Sequence, residues 1–345
     1  RDFYTYPGEH KPDKLVWTNC LPNFQSDPIC ALLHLASVIP DHPDSSTWLR
    51  YAQDDIERQL DAYCGSNGAW EESINYALYT FSYFVISFRA LKHRHGIDYF
   101  NDPRMRRYAD WLVRFFGPFD KRFKSYTYPA IGNSVLPQLG GEYLLAYAGE
   151  LAEDDPLRSD LISVYQRMEP NLQLAEHSPL LMAIAPIPSR QIPLRPLSSE
   201  HMPDLGVAMR NNHPSPHESY LFQKIGFWKD HYEGDETAFN WYAKGTPLVM
   251  DYGTYSADAG SWAAHNLVEI PEMDFITRGY LATHYLTDAV DYTHCETPVS
   301  LKLIHGRVRS FAEIDGPPQP PLYHYIGDDN PLGPKVWKTR RLLFV

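Results

Sequence analysis

The fold is decided by a proline-rich stretch near the middle of the chain, PIPSRQIPLRPLSSEHMP (186–203). Its five prolines follow neither helical nor strand periodicity, which is typical of a linker. Before it, apolar residues recur at helical spacing, whereas after it short alternating stretches are separated by turn residues. The change predicts an α+β protein with a helical domain at 1–185, a linker at 186–204 and an antiparallel β domain at 205–345.

The helical half has clear start and stop signals. Pro103 follows Asp102 as a first helical residue would, and Gly96 and Gly117 follow apolar stretches that they would end. Short connections between the helices predict antiparallel hairpins. The predicted helices are 28–39, 45–64, 75–94, 103–116, 135–151 and 156–168, with a short one near 180. The predicted strands are 206–209, 220–227, 238–243, 246–250, 265–270, 308–314 and 339–345.

Composition excludes several classes of protein. Of 345 residues, 43% are hydrophobic and 21% charged, which is enough apolar material for a large core. No apolar stretch approaches the length of a membrane span. The net charge of -12, without a cluster of Lys or Arg, argues against a nucleic-acid partner. The 24 Tyr, 16 Phe and 8 Trp suit stacking on sugar rings and equally suit an ordinary core.

The cysteines and the chain ends give little information about the function. Cys20, Cys30, Cys64 and Cys295 lack the spacing of a zinc site, and either one disulfide or free thiols would fit. The chain begins with Arg and ends in the middle of a predicted strand, so we interpret it as a piece of a longer protein.

Three segments carry the candidate chemistry: WEESINY (70–76), HYEGD (231–235) followed by FNWYAKGTPLVMDYG (239–253), and AAHNLV (263–268). In this order they resemble the heparinase II/III-like polysaccharide lyases. That family has W-x-E-[GS]-P-x-Y in an (α/α) toroid, then an H-x-H-x-D segment and an H-N strand in an antiparallel β-sandwich. Ile74, Glu233 and Ala238 depart from the pattern at the usual Pro, second His and Ser. The resemblance implies a toroid of helical hairpins followed by a β-sandwich.

The resemblance also implies catalytic roles. Tyr76 matches the tyrosine acid/base and His231 a second acid/base, while Asn23 stands where the family has an Asn that neutralises a uronate carboxylate. Asn19 is the fallback for this third role. Each residue has a plainer interpretation, since Tyr76 can be a core aromatic, Asn23 a helix cap and His231 an ordinary histidine.

Further residues are candidates for contact with substrate. Trp70 can stack on a sugar, Arg210 can meet an acidic group, and Asn133 lies in a stretch similar to the family's P-x-I-G-[DN]. Glu72 joins them, although with Glu71 it can instead cap the following helix or form the carboxylate pair of a glycosidase.

The resemblance implies one divalent metal ion of structural role. The matching positions are Glu233, Asp251 and His265, and two carboxylates with an imidazole accept zinc first, with manganese or calcium as alternatives.

Together these residues predict a lyase that cleaves a uronic-acid-containing polysaccharide by β-elimination. The alternatives are an (α/α) glycoside hydrolase, with Glu71 or Glu72 paired to Asp235, and a glycan-binding relative without activity. A secreted or periplasmic location follows from the substrate class alone, and a homo-oligomer is left open.

Overall fold

The structure is a computed structural model that describes residues 22–138, 140–168, 190–203, 205–225, 237–250, 273–274, 280–301 and 335–344. Six α-helices precede the two larger sheets in this part of the chain. They are α1 (Pro22–Val38), α2 (Ser45–Tyr63), α3 (Ile74–Ala90), α4 (Pro103–Arg114), α5 (Gly141–Ala148) and α6 (Pro156–Tyr165). A π-helical turn, Leu91–His95, extends α3 to Gly96, whose positive φ ends it.

Helix α1 begins at Pro22, six residues before the predicted start at Pro28. Polar contacts with α2 explain the earlier start. The Ser26 hydroxyl donates to Gln59 Oε1 at 2.6 Å, and Gln25 Nε2 donates to Asp55 Oδ1 at 3.0 Å. Because these bonds connect different helices, apolar periodicity gave no sign of them.

The starts of three other helices compare with the sequence prediction as follows. Helix α2 begins at Ser45, as predicted, with Asp44 as its N-cap residue, and the Ser45 hydroxyl donates to Ala36 O. Helix α5 begins at Gly141 rather than near 135, since Gly140 has a φ of 106° that no helix accommodates. The start of α4 is as predicted, with the Asp102 carboxylate accepting from Arg104 N at 2.8 Å.

The β structure consists of a small hairpin and two larger antiparallel sheets. The hairpin pairs β1 (Phe119–Asp120) with β2 (Ser125–Tyr126). The five-stranded sheet runs in chain order: β3 (Glu200–Met202), β4 (Gly206–Asn211), β5 (Ser219–Lys224), β6 (Phe239–Ala243) and β7 (Thr246–Val249). In the other sheet β10 (Asp291–Leu301) pairs with β8 (Met273–Asp274), β9 (Tyr280–Leu286) and β11 (Lys335–Phe344).

The β6–β7 hairpin turns at Lys244 and Gly245, both with positive φ, at the turn that the sequence predicts. Strand β3 forms from the last residues of the predicted linker, because Glu200 to Met202 pair with β4. Strands β8 to β10 were not predicted, and the predicted strands 265–270 and 308–314 lie outside the described residues.

The core is continuous from the helices into the five-stranded sheet. Phe115, just after α4, packs edge-on against Phe222 of β5 with ring centroids 4.9 Å apart. The sheets also contact each other through a smaller apolar cluster that includes Val207, Leu221 and Phe344. The α+β organisation is therefore confirmed, while closure of the toroid and of the sandwich stays a prediction.

Two further observations bear on the sequence analysis. Cys30, Cys64 and Cys295 are free thiols, and burial raises the pKa of the Cys30 thiol to about 12. Within the described ranges, no helix has both the length and the apolar character that crossing a bilayer requires.

Candidate functional site

The candidate site is built around the first turn of α3. Ser73 is its N-cap residue, and Tyr76 is its third residue. Backbone N–H groups in the first turn of a helix lack partners within the helix, so this end favours negative charge. The sequence prediction that Tyr76 lies at a helix start is correct, and its side chain is 8% exposed.

Glu72, immediately before α3, is fully buried and holds several elements together. Its Oε1 accepts a hydrogen bond from the backbone N–H of Asn23 at 3.2 Å. Its Oε2 accepts from Trp70 Nε1 at 3.0 Å and from the Thr80 hydroxyl at 3.5 Å. Of these, the Asn23 N–H belongs to the first turn of α1, so the carboxylate caps α1 from another part of the chain. We call Asn23, Trp70, Glu72 and Thr80 the Glu72 cluster.

Trp70 fixes the cluster to the core. Its ring stacks on Tyr108 with centroids 5.2 Å apart and meets Phe84 edge-on at 5.6 Å. The indole is fully buried. Its single N–H group donates to Glu72, so both the rings and the Nε1 atom of Trp70 contact other parts of the protein.

The side chain of Asn23 has an unusual environment. Its Oδ1 is buried and has no hydrogen-bond partner among the described residues. The two ends of an Asn amide are interchangeable by a flip, so this buried position can present either an acceptor or an N–H₂ donor. The next residue, Phe24, is 58% exposed. Asn23 therefore lies between the interior and the surface, with an amide available for a ligand.

Asn133 contacts the N-cap residue of α3. Its carbonyl oxygen accepts from the Ser73 hydroxyl at 3.0 Å, and its Oδ1 is also buried without a partner in the described part of the chain. The same loop is tied to the sheet, because Asn240 Nδ2 of β6 donates to Ala130 O at 2.8 Å. The structure thus brings Asn23, Glu72, Tyr76 and Asn133 to one helix end.

Further tyrosines lie along α3 and in the first turn of α5. The ring of Tyr76 lies 6.4 Å from that of Tyr79, which is 42% exposed. Burial of the side chain is the main effect that raises the pKa of Tyr83, and the nearby Asp27 carboxylate raises it further. Burial and the neighbouring Glu142 raise the pKa of Tyr143 to about 12. Protonated phenols at these positions provide hydrogen-bond donors and apolar surface.

Arg210 is placed elsewhere, at the contact between α4 and the sheet. Its side chain is 1% exposed, and Nη1 donates to Glu218 Oε1 at 2.8 Å. Its Nη2 donates to Phe116 O at 2.6 Å, beyond the end of α4. Glu218 also contacts His213 Nδ1 at 2.9 Å. We call Arg210, His213 and Glu218 the Glu218 cluster.

A third buried carboxyl group, Glu142, lies in the first turn of α5. Its Oε2 has no hydrogen-bond partner among the described residues. Burial raises the pKa of Glu142 to about 7, an effect only partly opposed by its own backbone N–H.

The remaining predicted site residues, His231, Glu233, Asp251 and His265, lie outside the described residues. Within the described ranges no group of three or more His, Cys, Asp and Glu side chains is arranged to hold a metal ion. The proposed ligand set therefore stays a prediction.

Sequence reasoning missed Thr80, Ser73 and Glu218 as contributors to these clusters. Thr80 had a visible signal, since it is a polar residue within the aromatic helix α3. Ser73 and Glu218 had none, because their partners are 60 and eight residues away along the chain, respectively, and are selected by packing.

Comparison with solved structures identifies the fold of the chain. No protein-family model and no curated protein sequence matches the chain. Its structure is similar to that of heparinase III, with a TM-score of 0.61 and 13% identity over 81% of this chain and 44% of that one. It is also similar to heparan sulfate lyase HepC from Pedobacter heparinus, with a TM-score of 0.54 and 13% identity over 79% and 42%. The chain has a heparinase-like fold and covers less than half the length of these structures.

Proposed function

We propose that this chain belongs to a polysaccharide lyase that cleaves a uronic-acid-containing polysaccharide or oligosaccharide by β-elimination. One observation carries the proposal: within a heparinase-like fold, Glu72 joins Asn23 to the helix end that bears Tyr76. An amide and a phenol at the N-terminus of a helix are the groups that this reaction needs.

The chemistry sets three requirements. The C5 proton of a uronate is weakly acidic, because its removal places negative charge on the adjacent carboxylate. A donor to that carboxylate stabilises the developing charge, and a base removes the C5 proton. The electrons of the C5–H bond then form the C4–C5 double bond, the C4–O4 bond breaks, and an acid protonates O4.

The described residues suit two of these roles. The Asn23 amide is the donor to the substrate carboxylate: its buried end has no partner among the described residues and, with the amide flipped, is an NH₂ group. Tyr76 takes the C5 proton and returns a proton to O4 on the same face of the sugar. His231 is the second acid/base, and it precedes β6, whose Asn240 contacts the loop of Asn133.

Asn133 is the best placed of the proposed substrate contacts. Its amide is buried beside the α3 N-terminus with Oδ1 unpartnered in the described part of the chain, like that of Asn23. Direct contact with substrate stays a proposal for Trp70, Glu72 and Arg210, whose polar atoms bind other parts of the protein.

The metal ion and the location complete the proposal. Glu233, Asp251 and His265 would hold one divalent ion, zinc first among the candidates, which would fix the strands around His231. The enzyme would act where such polymers occur, outside the cell or in a periplasm. Metal analysis of the purified protein before and after chelation tests the ion independently of activity.

The test of function is the ultraviolet absorbance of the unsaturated uronate product, measured with a panel of uronic-acid polymers. We expect Tyr76→Phe to lower kcat about 10²- to 10⁴-fold, the range for loss of a general acid/base. Tyr79→Phe is the matched control, because Tyr79 lies one turn further along the same helix and is more exposed.

Other outcomes would redirect the assignment. New reducing ends without absorbance would indicate the hydrolase, and oligosaccharide binding without either product would indicate the inactive relative. Equal activity of Tyr76→Phe and wild type would remove Tyr76 from the mechanism even if the protein is a lyase.

A further inference from the structure

Glu72 has the geometry of a residue that acts through another residue. It is fully buried, and its Oε1 accepts from the backbone of Asn23, 49 residues away in the sequence. Its Oε2 is held by the Trp70 indole and the Thr80 hydroxyl. Trp70 is fixed by stacking on Tyr108, and Thr80 belongs to the same helix as Tyr76, so the carboxylate is immobilised on one side.

We propose that Glu72 is a positioning residue that fixes the first turn of α1 against the first turn of α3, so that the amide of Asn23 and the phenol of Tyr76 act on one sugar. This inference rests on the proposed lyase function and adds a residue to its mechanism. In this role Glu72 acts through Asn23, whose backbone it contacts, and is a positioning residue rather than a catalytic one.

The physical reason lies in what else holds Asn23 in place. The Asn23 side-chain oxygen has no partner among the described residues. Its backbone N–H is an orphan donor of a helix start, and the Glu72 carboxylate satisfies it. Gln25 and Ser26 hold the same turn to α2, so without the Glu72 bond the turn remains attached to α2 but loses this link to the start of α3. The Asn23 amide then loses its fixed distance from Tyr76. Displacements of about 1 Å in a catalytic group can lower a rate about 10²-fold.

The amide replacement Glu72→Gln is the sharpest probe. Glutamine keeps the size of the side chain but replaces one carboxylate oxygen with an NH₂ donor, so either the Asn23 N–H or the Trp70 N–H would face another donor. We expect kcat to fall about 10- to 100-fold, as for other residues that orient a catalytic group, with KM changed less than about threefold. Glu153→Gln, at an exposed position between α5 and α6, is the control, with an expected change below about twofold.

A double-mutant cycle separates positioning from general damage to the fold. Asn23→Ala alone should lower kcat about 10²- to 10³-fold, as loss of one donor to a developing anion does. In the Asn23→Ala background, Glu72→Gln should lower kcat by less than about twofold further, because the group that it positions is absent. Circular dichroism confirms that each variant is folded. If Glu72→Gln does not fold, Thr80→Val replaces it in the same cycle.

The outcomes are distinguishable. If the wild type is active on a uronate polymer and the effects of Glu72→Gln and Asn23→Ala on kcat multiply in the double variant, the role of Glu72 is overturned. The lyase assignment then stays intact. A rise in KM without a fall in kcat would likewise overturn the role of Glu72, since substrate contact would then explain the effect. A wild type inactive on every uronate polymer would overturn both proposals.

Discussion

Glu72 and Glu218 are both buried carboxylates that connect distant elements, but their partners differ in kind. Glu72 accepts from a backbone N–H, an indole and a hydroxyl at the start of α3. Glu218 contacts the Arg210 guanidinium and the His213 ring, and Arg210 continues to carbonyl groups beyond α4. Near Glu72, the Oδ1 atoms of Asn23 and Asn133 lack a partner among the described residues. The Glu218 cluster joins the sheet to the helices through charged partners and contains one such atom, His213 Nε2.

The difference separates a candidate site from a structural connection. A guanidinium donating to a carboxylate and two backbone carbonyls has little capacity left for a substrate. Neutral donors on Glu72 fix its position, while the neighbouring amide groups of Asn23 and Asn133 keep their capacity to bind. Burial and the presence of a charged residue are therefore insufficient to identify a site, and the chemical kind of the partners that each carboxylate has is more informative.

The largest effect should come from breaking the Glu218 cluster. Arg210→Ala leaves the buried Glu218 carboxylate without its guanidinium, and we expect the free energy of unfolding to fall by about 3–5 kcal/mol. Denaturant unfolding of the whole chain measures this. Asp61→Ala is the control. The Asp61 side chain, which pairs with Arg104, is 70% exposed, and exposed ion pairs contribute about 0–1 kcal/mol. Equal losses in the two variants would contradict the structural role given to Arg210.

Glu142 sharpens the comparison, because one oxygen of this buried carboxyl group has no partner in the described part of the chain. With its pKa raised to about 7 in the folded state, it contributes stability that is fully present below about pH 4.5 and is lost as pH rises through 7. Relative to Glu142→Gln, wild type should lose up to about 3 kcal/mol between pH 5 and pH 8. Unfolding midpoints at both pH values test this, with Glu153→Gln, an exposed residue, as the control. Parallel pH curves for wild type and Glu142→Gln would refute it.

The smallest effect should come from the link between α3 and the loop of Asn133. Ser73→Ala removes the hydroxyl that donates to Asn133 O at 3.0 Å, and we expect a loss of about 1 kcal/mol in the free energy of unfolding. Ser215→Ala, on the loop between β4 and β5, is the control. A Ser73→Ala protein as stable as wild type would show that the loop is held without this hydrogen bond.

Much of the architecture could be predicted because local chemistry sets it. Proline at 103 and glycine at 96 fixed helix ends, and Lys244-Gly245 fixed a hairpin turn. The shift from helical to alternating periodicity predicted the α+β division. Strands β9 and β10 were not predicted. Strand β10 pairs over its length with β11, which begins 34 residues after β10 ends, so the pattern of neighbouring residues was a poor guide to this pairing.

The sequence by itself determined that Tyr76 begins a helix, that a heparinase-like fold follows, and which residue types stand near the proposed chemistry. Only the tertiary structure decided what those residues contact: Glu72 caps α1, Arg210 pairs with buried Glu218, and Trp70 is part of the core. The physical reason is the sequence distance over which each kind of interaction acts. Helix starts and turns depend on the backbone preferences of a few neighbouring residues, whereas a buried hydrogen bond depends on which distant donor the packing of the whole core brings within about 3 Å.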